Sequence, residues 1–137
     1  MQNKLSPNER WEKYYSNYKK TRLTTLIEFV NEHHFIPTFT SELFKIIKRK
    51  KDLNILELGC GSGLMSAYLA EKNKITLLDL SENSLKIAKC NFNKKNVKGE
   101  FIRGDLLKMP FKNNTFDVVW NQGVLEHFKI LQEQWKK

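Results

Sequence analysis

Three glycines and two acids are the residues whose spacing could do chemistry. Gly59, Gly61 and Gly63 alternate within Glu57-Leu58-Gly59-Cys60-Gly61-Ser62-Gly63, and Asp79 follows 20 residues after Gly59. Glycine is used where the backbone needs a positive φ or where another group must approach the main chain. A carboxylate at that distance, at the end of the next strand, can accept hydrogen bonds from both hydroxyls of a ribose. Asp79 could instead cap the helix that follows, but Ser81 is better placed for that. A dinucleotide fingerprint would want glycine at the position of Leu64, whereas the third glycine comes one residue early, at Gly63. The lysine and hydroxyl residue of a phosphate-cradling Walker loop are missing. Further on, His127 could serve as a general base, since imidazoles as a class can take up and release a proton near neutral pH; a structural role at a helix start is the alternative.

These residues need elements to hold them. Leu53–Leu58 is a short apolar run ended by glycine, the pattern of a strand buried on both faces. Residues 64–72 are rich in helix formers. Strand, glycine turn and helix together aim backbone N–H groups and a positive helix end at a polar ligand. Lys74–Leu80 reads as a second buried strand, and Ser81-Glu82-Asn83-Ser84 opens a helix through Leu85, Ile87, Ala88 and Phe92. A third strand lies within residues 97–102. Phe116–Gly123 covers a fourth strand and its end, and Val124 begins a helix. Ahead of this unit, Ser6 or Asn8 can cap a helix from near Glu9, with Trp11, Tyr14, Tyr15 and Tyr18 at helical spacing. That aromatic face either packs on the core or forms a lid over a site. Leu23, Leu26, Ile27 and Val30 mark a second helical stripe. Pro37 breaks it, and Thr40 or Ser41 can cap a third helix running to Lys50. The division is therefore an N-terminal helical segment, residues 1–52, acting as cap or lid, and a Rossmann-like domain over residues 53–137.

Composition narrows the classes. The chain has 137 residues, 40% of them hydrophobic and 28% charged, as in an ordinary one-domain globular protein. No apolar run is long enough to span a membrane, and residues 1–7 lack the apolar core of a signal peptide. Two cysteines make no disulfide framework, which points to a reducing, cytoplasmic setting. The net charge of +9 comes mostly from dispersed lysines, the pattern of solvated faces; this argues against nucleic acid as partner. The run Lys48-Arg49-Lys50-Lys51 falls where a helix should end and complements its dipole. His33-His34 is a poor chelating pair on a helix, and no metal site is expected.

Glu57-Leu58-Gly59-Cys60-Gly61-Ser62-Gly63 resembles motif I of the class I S-adenosylmethionine-dependent methyltransferases. The resemblance covers residues 53–128, and from Leu107 to Phe128 it is to the small-molecule branch that includes the methyltransferases of quinone biosynthesis. It implies S-adenosylmethionine as cofactor and a small-molecule methyl acceptor as partner. Gly59, Cys60 and Gly61, with Glu57 before them, would hold the amino-acid part. Asp79 and Leu80 would take the ribose. Asp105 would meet the adenine amino group, an acceptor facing a donor, with Leu106 beside the ring. Asn121 and Gln122 would border the methionine part, and Glu126 and His127 would lie near the acceptor pocket. Members of the family often open with a Trp/Tyr-rich segment near the cofactor, which makes Tyr14 and Tyr15 site candidates. The Asn-Pro-Pro-Tyr sequence of amino-group methylases acting on DNA and some proteins is missing after the fourth strand.

The expected fold is α/β and Rossmann-like, a partial parallel sheet of order 3-2-1-4 with helices on both faces. The family's full sheet has seven strands, ordered 3-2-1-4-5-7-6, and four are found here. Strand four would then be an edge: either this is a fragment of a longer methyltransferase, or a second copy or another partner covers it. A nucleic-acid methyltransferase drawing on the +9 charge fits part of the pattern, and so do two other functions. One is a truncated, non-catalytic cofactor-binding or partner-binding remnant. The other is an NAD-dependent oxidoreductase, against which the displaced third glycine speaks.

Overall fold

The computed structural model describes residues 5–17, 36–47 and 50–124, together with Thr24, Leu26, Val30 and His34. The apolar run before the glycines forms β1, Asn54–Leu58, whose last four residues are all buried. The next apolar run forms β2, Lys74–Asp79, buried from Ile75 onward. Two shorter strands, β3 at Glu100–Arg103 and β4 at Val118–Asn121, flank them. All pairings are parallel and the order is β3-β2-β1-β4, as expected. Burial on both faces explains why the two central strands read as continuous apolar runs. Asp117 fixes β4 against β1: its Oδ2 accepts the Asn54 N–H, and its own N–H donates to the Asn54 carbonyl, both at 2.8 Å.

Among the described residues four helices accompany the sheet: α1 at Pro7–Ser16, α2 at Ile36–Ile46, α3 at Leu64–Leu69 and α4 at Glu82–Lys94. Ser6 caps α1 in a reciprocal box with Glu9, and Ser81 caps α4 by accepting the Ser84 N–H. One sheet face, with Ile55, Ile75 and Leu77, packs against Ala67 and Leu69 of α3 and Leu85, Ala88 and Phe92 of α4; Leu43 of α2 joins it. The other face, with Leu56, Leu58 and Leu78, is closed by Leu106, Phe111 and Phe116 from the segment between β3 and β4.

Several boundaries differ from the sequence reading, two of them for a clear local reason. Helix α2 starts at Ile36, so Thr40 and Ser41 lie inside it rather than capping it. Pro37 falls in the first turn, where its missing N–H breaks no helical bond. Helix α3 stops at Leu69 instead of reaching Lys72. Asn73 ends it: its side-chain amide donates to the Leu69 carbonyl at 3.0 Å, and its carbonyl oxygen accepts the Leu53 N–H at 3.2 Å. No helix among the described residues is long and apolar enough to cross a membrane.

Candidate cofactor-binding site

The carboxyl ends of β1, β2 and β4 border a cleft of about 780 Å³, roofed by α1. This is where open α/β sheets bind ligands. Another hollow, about 820 Å³, lies at the opposite strand ends around Asn54, Lys74 and Glu100, away from the glycine turn.

The glycine turn is shaped by left-handed backbone: φ is +62° at Gly59, +52° at Gly61 and +61° at Gly63. Its amides do not point at the cleft as expected. Gly59 and Cys60 donate to the Leu78 carbonyl at 2.7 and 3.3 Å, and Gly63 donates to the Cys60 carbonyl at 2.8 Å. Gly61 donates to Asp79 Oδ2 at 2.9 Å. The turn binds itself to β2, and its glycines supply close approach. A Cβ at Gly61 would lie 2.7 Å from the Tyr15 hydroxyl, and one at Gly59 would lie 2.5 Å from Val124 Cγ2.

Asp79 is buried, and its second oxygen accepts the Ser81 N–H at 2.8 Å. Both oxygens therefore hold the neighbouring main chain, with further lone pairs for a ligand hydroxyl. Asp79 thus fixes the turn as well as standing where a ribose acceptor should be.

Glu57 lies between Leu77 and Trp120 in the sheet register and is 4% exposed. Burial, with a smaller contribution from the Asp79 charge, pushes its carboxyl up to about 8. The Ser66 hydroxyl opposes this by favouring the charged form. It does not reach hydrogen-bonding geometry, so burial prevails: Glu57 Oε2, Ser66 Oγ and Trp120 Nε1 are all buried without a hydrogen-bond partner. An orphaned acceptor in a cleft wall fits a ligand that carries an ammonium group. Burial first, and Asp79 second, also raise the Tyr15 phenol and the Cys60 thiol well above their usual values. Both stay neutral, and Cys60 is no nucleophile.

Of the residues the sequence singled out, Tyr14, Tyr15, Glu57, Gly59, Cys60, Gly61, Asp79, Leu80, Asp105, Leu106 and Gln122 converge on the cleft. Asp105 also caps a short 3₁₀ turn at Leu106–Lys108, accepting the Leu107 N–H at 2.9 Å. Asn121 ends β4 opposite Leu58 and does not line the cleft. Glu126 and His127 lie outside the described residues. Sequence reasoning missed Arg10 and Val124. Arg10 is four residues before Tyr14, so helical spacing could have found it; it is the one cation among the described lining residues, which also include Glu57, Asp79 and Asp105. Val124 had no signal beyond following Gly123.

Residues 55–136 match the family model described as a methyltransferase domain. The chain belongs to the class I S-adenosylmethionine-dependent methyltransferases. An uncharacterized protein of Methanocaldococcus jannaschii is 34% identical over 90% of this chain and 49% of its own length. The demethylmenaquinone methyltransferase of Lactococcus lactis is 41% identical over 55% of this chain and 33% of its own. The chain therefore spans half or less of these two relatives. The crystal structure of a candidate S-adenosyl-L-methionine-dependent methyltransferase of Methanococcus maripaludis superposes with a TM-score of 0.65, at 20% identity, over 88% of this chain and 59% of that one. At that identity the likeness speaks for the fold.

Proposed function

We propose that the cleft binds S-adenosylmethionine and that the protein transfers its methyl group to a small-molecule acceptor. The observation that carries this is the buried, unpartnered Glu57 Oε2 close to the Gly61–Asp79 contact. Glu57 would receive the ammonium of the amino-acid part, next to the space above Gly59 and Gly61. Arg10 would face its carboxylate. Asp79 and Leu80 would take the ribose, Asp105 and Leu106 the adenine, and Gln122 would border the methionine part. When bound, the cofactor supplies a methyl group on a sulfonium, a leaving group already activated by its charge. The protein's work is then alignment and exclusion of water, which can supply several kcal/mol. A base is needed only if the acceptor must lose a proton, and His127 is the candidate.

Charge favours this reading over a nicotinamide dinucleotide. Among the described lining residues Asp79 and Asp105 outnumber Arg10, and Glu57 adds a third negative charge once a cation sits beside it, a poor home for a pyrophosphate and a good one for a sulfonium. The likeness to a demethylmenaquinone methyltransferase supports a small-molecule acceptor. Residues 1–52 would serve as the cap, with α1 as its lid over the cleft. Two unpaired thiols, Cys60 buried and Cys90 exposed, support a cytoplasmic setting. Among the described residues β4 pairs with β1 alone, and Val119 is 53% exposed, an edge that further strands of a longer chain, a second copy or a partner would cover. Calorimetric titration with S-adenosylhomocysteine and with NAD tests the cofactor. Binding of the first alone is expected; binding of NAD alone would overturn the proposal. Binding without turnover on a panel of acceptors, quinols included, would instead favour a non-catalytic remnant.

A further inference from the structure

Taking the cleft as the cofactor site, we infer that Glu12 is a positioning residue that fastens α1 over it. Its carboxylate crosses to the start of α4. Oε1 accepts the backbone N–H of Glu82, and Oε2 accepts a side-chain amide hydrogen of Asn83 at 2.7 Å. The first-turn amides of a helix have no partner within it. Ser81 satisfies one, that of Ser84, and Glu12 satisfies another from 70 residues away. A carboxylate there also meets the positive end of the α4 dipole. The nearby Glu82 carboxylate would repel it, but that group is held by Lys86 at 3.2 Å and Arg103 at 3.6 Å.

The same ten-residue helix brings Arg10, Trp11, Tyr14 and Tyr15 to the cleft. Its apolar hold on the body is partial: Tyr14 is 60% exposed and Trp11 36%, while Tyr15 is half-buried beside Gly61. The two charge-assisted bonds add a fixed point to that partial contact. Glu12 does not line the cleft, so its effect on a ligand passes through the four residues it places. Freed of it, α1 would swing away from Gly61, and the cleft would lose a wall and its arginine.

The test compares the full chain with Glu12→Ala and Glu12→Gln, by hydrogen exchange and by titration with S-adenosylhomocysteine. Glu12→Ala should speed exchange over residues 7–16 at least about tenfold, leave β1 and β2 amides unchanged, and weaken binding about tenfold. Unchanged strand amides would show that the variant is folded. Glutamine keeps an acceptor for the Glu82 N–H and can donate to a turned Asn83 amide, so Glu12→Gln should restore most of both losses. Asn83→Ala, which removes one of the two bonds, should fall between. Normal exchange over residues 7–16 in Glu12→Ala with undiminished affinity would overturn the latch, as would a glutamine variant as impaired as alanine. If the unmutated chain fails to bind S-adenosylhomocysteine while Glu12→Ala still loosens α1, the cofactor reading falls and the latch stands.

Discussion

Replacing Glu57 by glutamine should remove a pH dependence that burial has built into the fold. Glu57 is enclosed between Leu77 and Trp120, and its carboxyl is pushed from the ordinary 4.5 to about 8. The folded chain therefore binds a proton at Glu57 across that interval that the unfolded chain has released. Stability falls as pH rises wherever the native state holds more protons. Its contribution is intact below the unfolded value and lost by the time pH passes the folded one. At about 1.4 kcal/mol per pH unit the loss is roughly 3 kcal/mol by pH 7 and on the order of 4–5 kcal/mol at completion. Against a total of about 5–15 kcal/mol, that is large enough to measure. Urea unfolding followed by circular dichroism, for the unmutated chain and Glu57→Gln at several values from pH 5 to 8.5, gives the difference directly. It should be small at pH 5 and grow in favour of glutamine as pH rises. A constant difference would mean that Glu57 titrates normally, and the argument from its burial would fail. A cationic ligand should reverse the effect, since an ammonium beside Glu57 favours the charged form. Binding near pH 7 should therefore release a proton, visible as a buffer-dependent heat.

Asp79→Ala should weaken S-adenosylhomocysteine binding by about 1–3 kcal/mol in calorimetry, because the ribose hydroxyls lose their acceptor and the Gly61 amide its anchor; unchanged affinity would refute the ribose assignment. Gly63→Ala should cost about 2–5 kcal/mol in urea unfolding: a Cβ there has φ of +61° and meets Leu77 Cδ2 at 2.7 Å and Ala88 Cβ at 2.8 Å. Gly61→Ala should cost only about 1–2 kcal/mol, the left-handed backbone penalty, because the obstacle is the movable end of Tyr15; equal losses at the two glycines would contradict the packing argument. Val119→Lys should reduce any self-association seen by sedimentation, since a lysine on an exposed edge strand discourages pairing; association that is unaffected would place the contact elsewhere.

The sequence by itself determined the sheet and most of the cleft. Short apolar runs bounded by turn residues read as strands with both faces covered, and Leu53–Leu58 and Lys74–Leu80 became the buried centre of a parallel sheet. Alternate glycines followed by an acid 20 residues on located the ligand end of that sheet, because the covalent spacing of one βαβ unit fixes where those groups meet. Local capping was legible too, at Ser6 and Ser81, since a cap and its helix are neighbours in the chain. What the tertiary structure decided lies in contacts between distant segments. Only packing shows that the Gly59 and Gly61 amides are bound to Leu78 and Asp79, that Glu57 Oε2 is left without a partner, and that Arg10 joins the cleft while Asn121 does not. The reach of Glu12 across 70 residues to α4 is of the same kind. A residue's type sets what it can donate, accept or bury; how much water and which partners surround it is fixed only when the chain has closed around it.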